Sequence, residues 1–305
     1  MLGFALRRLL AAIPALFAIV TIAFFLVRFA PGGPFDLAQP LAPAVLDNIR
    51  KVYRLDQPLF VQYLDYLGRL ARGDLGPSYV YRDFTVQQLI ADGLPYSVQL
   101  GGMALLLAIL IGIGAGTIAA LHQNRVEDYA VMTVATVGVT VPNFIVAPIL
   151  TLIFAISLGW LPAGGWGPGW THKVLPVLVL ALPQAAVIAR LTRASLLEAL
   201  RADHVRTARA LGLPASTVVL RALRGALLPV VSYLGPAAAG LLTGSVVVET
   251  IFGIPGVGRY FVQGALNRDY TLVMGTVVLI AVFVLVFNLV VDLVYALLDP
   301  KVRYG

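Results

Sequence analysis

Long runs of apolar residues, separated by polar segments, set the pattern of this 305-residue chain. A helix needs about 20 consecutive apolar residues to cross the hydrocarbon core of a bilayer. Six runs reach or approach that length, so the pattern predicts an all-α membrane protein with six transmembrane helices in one domain covering 1–305. The predicted spans are residues 9–29, 97–121, 129–158, 174–189, 227–248 and 272–298. The fourth run is the shortest and is interrupted by Pro176 and Pro183.

Two longer polar segments interrupt the apolar pattern, at residues 31–96 and at residues 190–226. Positive residues cluster at alternate ends of the spans, and membrane proteins keep such clusters in the cytoplasm. The larger clusters are Arg7, Arg8, Arg125, the seven arginines from Arg190 to Arg224, Lys301 and Arg303, whereas the opposite short loops have Lys173, Arg259 and Arg268. We therefore expect both termini and residues 190–226 in the cytoplasm, with residues 31–96 as a periplasmic insert between the first two helices.

The insert combines balanced charge with scattered aromatic residues, which predicts a small folded cap rather than a flexible linker. Val61, Leu64, Leu67 and Leu70 recur at helical spacing and predict one helix within it. Two interpretations of the insert are equally favoured: contact with a soluble partner outside the membrane, or a lid over the helical bundle.

The composition is that of a membrane protein and excludes several kinds of chemistry. Hydrophobic residues make up 59% and charged residues 12% of the chain, whereas soluble domains have about 45–50% and about 25%. No cysteine is present, so disulfides, thiol catalysis and thiolate metal sites are excluded. The net charge of +7 is explained by membrane orientation better than by binding to nucleic acid.

Sequence motifs for nucleotide hydrolysis and metal binding are missing from the chain. Each of the three lysines precedes a valine, which rules out a G-x-x-x-x-G-K-[ST] phosphate loop. His122, His172 and His204 lie in three different predicted loops and form no i, i+4 pair. We therefore predict no catalytic residue, no metal site and no cofactor bound to this chain.

A few polar residues within the predicted spans are candidates for function. The fifth span is rich in small and mildly polar residues, which allow close helix packing or line a wet path through the membrane. The candidates for such a path are Ser232, Tyr233, Thr243 and Ser245, together with Asn143 of the third span. Asp292 lies near the end of the last span, one turn after Asn288, and a hydrogen-bonded structural role is favoured there over a proton relay.

The segment at residues 190–226 is basic and rich in helix-forming residues. A helix over residues 195–211 is predicted to end at Gly212-Leu-Pro214, and a second short helix is predicted from Ser216. Two helices that project from a membrane domain suit the docking of a soluble protein. The alternative is a surface loop whose charge serves only to fix orientation, and charge alone does not separate the two interpretations.

Motifs along the whole chain resemble those of ABC importer permeases. The stretch Val205-Arg-Thr-Ala-Arg-Ala-Leu-Gly-Leu-Pro214, with Leu228-Pro229 after it, is similar to the loop by which these permeases contact their ATPases. Further similar stretches are Arg7-Arg8 with Ala30-Pro31-Gly32, Gly73-Asp-Leu-Gly-Pro-Ser78, Glu249-Thr-Ile-Phe-Gly-Ile-Pro-Gly-Val-Gly258, Asn267-Arg-Asp-Tyr270 and Asp299-Pro-Lys-Val-Arg-Tyr304. The chain is identified as a member of the oligopeptide and dipeptide transport branch. Within that branch it resembles the B-type membrane subunit, and the oligopeptide permease subunit most closely.

The resemblance implies a type I importer permease fold in the bacterial inner membrane and an ATP-driven import of peptides. The implied partners are a homologous C-type membrane subunit, two cytoplasmic ATPases that carry ATP and Mg²⁺, a periplasmic peptide-binding protein, the peptide itself and membrane lipid, with no nucleic acid. The residues implied for ATPase docking are Arg201, Asp203, Arg206, Thr207, Ala208, Arg209, Gly212 and Leu213. Those expected to face the external receptor are Glu249, Arg259, Asn267, Arg268 and Asp269.

One position departs from the broader importer pattern, because Arg206 stands where that pattern has a glutamate in the register set by Gly212. Importers of the same family for nickel chelates or for glutathione share these motifs and are the first alternative. A more distant alternative is a secondary transporter driven by an ion gradient, which needs no ATPase.

Overall fold

The computed structural model describes residues 2–30, 54–81, 83–243 and 245–298 of the chain. Regular secondary structure within these ranges is helical, apart from one isolated bridge between Pro77 and Thr85. The prediction of an all-α protein is therefore confirmed for this part of the chain. Residues 31–53 of the predicted insert and the terminal motif at 299–304 lie outside the described residues.

The helices are numbered here in chain order. The N-terminal half has α1 (Leu2–Phe29), α2 (Leu59–Leu70), α3 (Val86–Leu121), α4 (Val126–Thr140) and α5 (Asn143–Leu150), and α5 continues into a π-helix at Thr151–Ser157. The C-terminal half has α6 (Thr171–Ala199), α7 (Asp203–Ala210), α8 (Ala215–Ala226), α9 (Leu228–Leu242), α10 (Val246–Ile251), α11 (Gly258–Leu266) and α12 (Tyr270–Leu298).

Within the described residues, five helical stretches are long and apolar enough to cross a membrane. They are Leu10–Phe29, Val86–Leu121, Thr171–Ala199, Leu228–Ile251 and Tyr270–Val294. The pair formed by α4 and by α5 with its π-helix is a sixth candidate, bent by 105° between its two halves. Every predicted span therefore overlaps helical structure in the part of the chain that the structure describes.

The third and fifth predicted spans are interrupted rather than continuous. In the third, the chain leaves the helix at Val141, which is extended with φ −82° and ψ 119°. The residue before a proline disfavours the helical region, and Pro142 follows directly. In the fifth, α9 ends at Leu242 and α10 begins at Val246, so the helix is interrupted near its C-terminal end.

The fourth span is longer than the predicted residues 174–189. Helix α6 continues through Pro176 and Pro183 and ends only at Ala199. Its buried face also continues, since Thr192 and Leu196 are each 0% exposed. The apolar run ends near residue 189, and the helix continues beyond it because its buried face still packs against the rest of the protein.

The single helix predicted over residues 195–211 is two helices. The chain turns after Ala199, and Ala202 is extended with ψ 150° immediately before α7 begins at Asp203. The second predicted helix is present as α8, which begins at Ala215, one residue before the predicted start.

Helices α3 and α6 form the central contact of the molecule. Glycines of α3 allow this contact, because a Cβ at Gly112 would lie 2.6 Å from the Cβ of Ile188. A Cβ at Gly116 would lie 2.5 Å from the carbonyl oxygen of Ala189. Small residues permit such close approach between membrane helices, and a larger side chain at either position would separate α3 from α6.

Helix α1 lies at the edge of the bundle, where only 11% of its apolar window is buried. It packs against α12 and, through Phe24, against α2 of the insert. The buried face of α2 consists of Tyr63 and Tyr66, whereas Val61 and Leu64 are exposed. Periodicity therefore predicted this helix, whose buried face is formed by tyrosines that pack with the aromatic side chains of α1, together with the partly buried Leu67 and Leu70.

Candidate functional site

Helices α7 and α8 form a small two-helix unit at the end of α6, which we name the docking unit (residues 203–226). Its apolar core consists of Val205 and Ala208 from α7 and Val218 and Ala222 from α8, packed on Leu196 of α6. Gly212 ends α7 with a φ of +74°, a left-handed conformation that glycine adopts without strain. The docking unit is therefore joined to a membrane helix through a continuous apolar core.

The outward face of this region carries most of the predicted docking residues. Arg201, Asp203, Arg206, Thr207, Arg209 and Gly212 are exposed, and Leu213 is half-buried. Asp203 and Arg206 form an exposed ion pair of 3.6 Å. Ala208 differs from these residues, because it is only 1% exposed and packs against α8.

Two exposed leucines of the docking unit were missed by sequence reasoning. Leu211 is 72% exposed at the end of α7, and Leu220 is 58% exposed on α8. Helical spacing alone does not show which leucines of an amphipathic helix pair remain outside the shared core. An exposed leucine gains about 1.5–3 kcal/mol when a partner buries it fully, so both residues are candidates for a protein contact.

A cavity of about 420 Å³ opens on α9, beside α5 and α6. Its lining includes three of the predicted path residues and three that were not predicted, namely Asn143, Tyr233, Ser245, Gln184, Pro236 and Gly240. Tyr233 Oη donates a hydrogen bond to Gln184 Oε1, which links α9 to α6. A single glutamine in an apolar run has no periodic signal, and this is why Gln184 was missed.

The other two predicted path residues do not line this cavity. Ser232 is exposed one turn before Pro236, and its hydroxyl donates to the carbonyl oxygen of Leu228 at 3.2 Å. Thr243 is 6% exposed and donates to the carbonyl oxygen of Ala239 at 2.8 Å. Hydroxyls in helices often bond to the carbonyl four residues earlier, and the role of Thr243 in a path stays a prediction.

The five residues expected to face an external receptor fall into two groups. Asn267 is exposed, and Arg259 and Arg268 are half-buried. Glu249 is 1% exposed and Asp269 is 0% exposed, so both carboxylates lie inside the protein. A buried carboxylate needs several hydrogen-bond donors, and each of them has its own network.

Glu249 holds the turn between α10 and α11. Its carboxylate accepts hydrogen bonds from Ser97 Oγ at 2.7 Å and from the N–H of Gly258 at 2.8 Å. Ser97 Oγ in turn accepts from the N–H of Val257 at 2.9 Å. A Cβ at Gly258 would lie 2.8 Å from Glu249 Oε2, so this glycine leaves the space that the carboxylate occupies.

Asp269 fixes the loop before α3 to the start of α12. It accepts hydrogen bonds from Ser78 Oγ, the N–H groups of Tyr79 and Val80, Thr271 Oγ1 and the N–H of Leu272. These donors satisfy the carboxylate inside the protein. Asp269 is therefore a structural residue that connects two distant parts of the chain.

Two ion pairs connect membrane helices. Arg8 of α1 pairs with Asp292 of α12 at 3.2 Å, which fits the favoured structural role of Asp292. Asp128 of α4 is 2% exposed and pairs with Arg193 of α6 through two contacts of 2.5 and 2.6 Å. The second pair lies in the last two turns of α6, close to the docking unit.

Burial and hydrogen bonds shift the pKa values of several side chains in the insert between α1 and α3. The backbone N–H of Gly76 lowers the pKa of Asp74 below its usual range. Burial raises the pKa of Tyr79 and Tyr81, and it raises the pKa of Tyr66 to about 12. The insert therefore holds these tyrosines as neutral phenols.

Comparison with known families covers nearly the whole chain. Residues 112–304 match the family described as the binding-protein-dependent transport system inner membrane component. Residues 1–101 match the family described as the N-terminal part of the same kind of membrane component.

Curated relatives match over the full length. The chain is 52% identical over 306 residues to the oligopeptide transport system permease protein OppB of Salmonella typhimurium, with 100% of both chains covered. It is 41% identical over 304 residues to the dipeptide transport system permease protein DppB of Bacillus subtilis, covering 99% of this chain and 98% of that one.

A solved structure shares the fold at lower sequence similarity. It is described as an amino acid ABC transporter with histidines, and it aligns with a TM-score of 0.50 at 18% identity over 70% of this chain and 94% of that one. The matched regions and the full-length relatives show that the chain belongs to the family of binding-protein-dependent inner-membrane permeases, in the branch that contains OppB and DppB.

Proposed function

We propose that this chain is the B-type membrane subunit of an ATP-driven importer of oligopeptides or dipeptides. The observation that supports this most strongly is the full-length similarity to oligopeptide and dipeptide permeases. The chain serves as a transport subunit and catalyses no reaction itself, while ATP and Mg²⁺ are bound by separate ATPase subunits.

In this proposal both termini and the docking unit lie in the cytoplasm, and residues 31–96 lie in the periplasm. The support is the uneven distribution of arginine, since the exposed residues Arg201, Arg206 and Arg209 lie in or next to the docking unit. Trp160 and Trp170 are 67% and 72% exposed in the loop after the third span, where an outer interfacial belt is expected.

Helix α6 provides the mechanical link in the proposed transport cycle. Leu196 of α6 packs into the core of the docking unit, and Gln184 of the same helix lines the cavity on α9. The two residues are separated by about 18 Å along the axis of one helix, given a rise of about 1.5 Å per residue. An ATPase that moves the docking unit would therefore move one wall of the cavity.

Three further partners complete the proposed importer. A homologous C-type membrane subunit faces the cavity on α9 and closes the path from the other side. A second ATPase docks on that subunit, and a periplasmic peptide-binding protein delivers the peptide to the outer face.

Reconstitution in liposomes tests the function directly. The complete complex is expected to import labelled peptide only when ATP is present on the ATPase side and the binding protein is present on the other. Removal of the ATPases should abolish uptake. Uptake by this chain alone in an ion gradient would contradict the proposal and favour a secondary transporter, and a complex that imports only a nickel chelate or glutathione would contradict the peptide assignment.

The absence of cysteine allows a clean test of orientation, because a single introduced cysteine is the only reactive thiol. Gln57 and Thr207 are both exposed, and the proposed orientation puts them on opposite sides of the membrane, so they suit the substitutions Gln57→Cys and Thr207→Cys. A membrane-impermeant maleimide should label Gln57→Cys in intact spheroplasts and Thr207→Cys only after permeabilisation. The reverse pattern would overturn the proposed orientation without affecting the family assignment.

A further inference from the structure

A cavity of about 440 Å³ lies between the end of α1, helix α2 and the start of α12. A second hollow of about 710 Å³ adjoins it and shares Arg54, Asp65, Arg69, Tyr79 and Thr271 with its lining. Neither the docking unit nor the cavity on α9 contributes to this region. It is a separate concave site at the end of a membrane-spanning helix.

The lining of the 440 Å³ cavity changes from apolar to basic. One side is formed by Phe24, Val27 and Met274, and the other carries Arg28, Arg54 and Arg69. Such a gradient fits an amphiphilic ligand whose hydrocarbon part lies deeper in the membrane than its charged group.

The flank of this cavity is a lipid-facing surface. Helix α1 turns Ile22, Leu26 and Phe29 outward with exposures of 59%, 67% and 70%. These side chains lie on a helix that is apolar enough to cross the membrane, so acyl chains are the natural neighbours of α1. Arg28 lies in the last turn of the same helix, at the depth where lipid headgroups begin.

The charges that the described residues contribute to the cavity do not balance. Three arginines and two aspartates among them line it, which leaves one net positive charge. Asp65 pairs with both Arg54 and Arg69, at 3.3 and 3.4 Å. In the part of the chain that the structure describes, Arg28 forms no ion pair with a carboxylate.

Arg28 is instead held by aromatic groups. Its guanidinium lies 5.3 Å from the ring centre of Phe24 and 5.0 Å from that of Tyr270, and it bonds to the side chain of Tyr79. These contacts orient the guanidinium without neutralising its charge. A ligand with a single negative charge would neutralise the cavity.

The wall of the cavity also holds a buried donor without an acceptor. Tyr66 Oη is buried and has no hydrogen-bond partner, whereas Arg69 Nε lies 3.4 Å from Asp65 Oδ2 in an ion pair that does not meet hydrogen-bond geometry. Buried polar groups in native proteins are nearly always paired, so the phenol of Tyr66 and the weakly held guanidinium of Arg69 indicate room for a further acceptor. Phosphate oxygens accept several hydrogen bonds at once, and arginine is well suited to bind them in pairs.

We propose that this cavity binds the phosphate group of an anionic phospholipid, with Arg28 and Arg69 as its main phosphate contacts and Phe24, Val27 and Met274 against the start of an acyl chain. Tyr66 supports the site from behind as an additional donor. The lipid would tie α1, at the edge of the bundle, to the insert and to α12.

Lipid titration of the delipidated complex in neutral detergent tests this site. Binding of phosphatidylglycerol, followed by native mass spectrometry and by the thermal shift, should be at least about tenfold tighter than that of phosphatidylcholine. Arg28→Gln and Arg69→Gln should each weaken phosphatidylglycerol binding by about tenfold, since each removes one charge-assisted contact. The matched control is Arg125→Gln, an exposed arginine beyond the far end of α3, which should bind as the wild type does.

Several outcomes would overturn the assignment. One is equal binding of the two lipids, and another is unchanged phosphatidylglycerol binding in an Arg28→Gln, Arg69→Gln double variant. Inorganic phosphate that produces the same shift at the same concentration would show a free-anion site and no lipid site. If Arg28→Gln does not fold, Arg69→Gln decides the question, because the Arg69 side chain is 33% exposed and its loss leaves the core intact.

Discussion

Glu249 shows that the position of a residue in the sequence does not reveal whether its side chain is buried. An acidic residue at the end of an apolar run suggests an interface, and Glu249 was expected to face a receptor. In the structure Ser97 and the N–H of Gly258 surround its carboxylate, and only 1% of the residue is exposed. The partners come from α3 and α11, which are distant in the sequence, so no local pattern could have indicated them.

The substitution Glu249→Gln is expected to destabilise the protein by about 1–3 kcal/mol, because an amide presents only one acceptor to a site with several donors. The free energy of unfolding, measured by denaturant titration in detergent micelles, checks this. Glu127→Gln is the matched control, since Glu127 is exposed in the first turn of α4. The losses of unfolding free energy caused by Ser97→Ala and by Glu249→Gln should not add up in the double variant, because both substitutions break the same hydrogen bond. Strictly additive losses would show that this hydrogen bond does not contribute to stability.

Tyr66 predicts a pH dependence of stability. Its folded-state pKa of about 12 lies above the ordinary value of 10.0 because the phenol is buried, so the folded state holds the proton more tightly than the unfolded chain. The resulting stabilisation is complete below the ordinary pKa and is lost as the pH rises from there toward the folded-state value. It amounts to about 3 kcal/mol, at roughly 1.4 kcal/mol for each unit.

The substitution Tyr66→Phe should therefore reduce the loss of stability at alkaline pH. At neutral pH it should be neutral or stabilising by about 1 kcal/mol, since it removes a buried hydroxyl that has no partner. Thermal unfolding from about pH 8 to about pH 11 measures both effects. The control is Tyr63→Phe, which loses the 2.7 Å hydrogen bond to Thr21 and should be less stable at neutral pH. An equal alkaline loss in wild type and Tyr66→Phe would rule out this role.

At the scale of helices, the bilayer explains why the spans could be predicted and the bends could not. A membrane-crossing helix needs a long apolar run, and every such run in the chain is helical in the structure. The 105° bend of the third span depends on a single extended residue, Val141, before Pro142. The prolines of α6 have the same local signature without ending their helix, because packing against α3 outweighs them.

The pair between Asp128 and Arg193 joins α4 to α6 near the docking unit. Breaking it with Asp128→Asn should cost about 2 kcal/mol, less than the 3–5 kcal/mol of a fully buried pair because the Arg193 side chain is 26% exposed. Chemical unfolding of the purified protein measures the loss. Asp203→Asn breaks an exposed pair and should have no measurable effect, and an equal effect of both substitutions would contradict the structural role of Asp128.

For the whole molecule, the proposed function assigns ATPase contact to the docking unit and the transport path to the membrane helices. Resemblance to known permeases indicated the docking segment, but not which side chains form its core. The structure separates an inner set that includes Val205 and Ala208 from an outer set that includes Arg206 and Leu211. The distinction depends on how α8 packs on α7, and the pattern of either helix alone does not contain it.

Leu211→Asp is therefore expected to leave folding intact and to weaken ATPase binding. Leu211 is 72% exposed, so the isolated protein loses little buried surface, while the complex loses about 1.5–3 kcal/mol of burial, or about tenfold to a hundredfold in affinity. Co-purification of the ATPases and ATP-dependent uptake measure the effect. The matched control is Val126→Asp, because Val126 is an 80% exposed apolar residue at the same end of the bundle but outside the docking unit. This variant should retain ATPase binding and ATP-dependent uptake.

Ala208→Asp should instead destabilise the docking unit itself, because Ala208 is buried in its core. Normal ATPase binding by a folded Leu211→Asp variant would show that this face of the docking unit does not contact the ATPase.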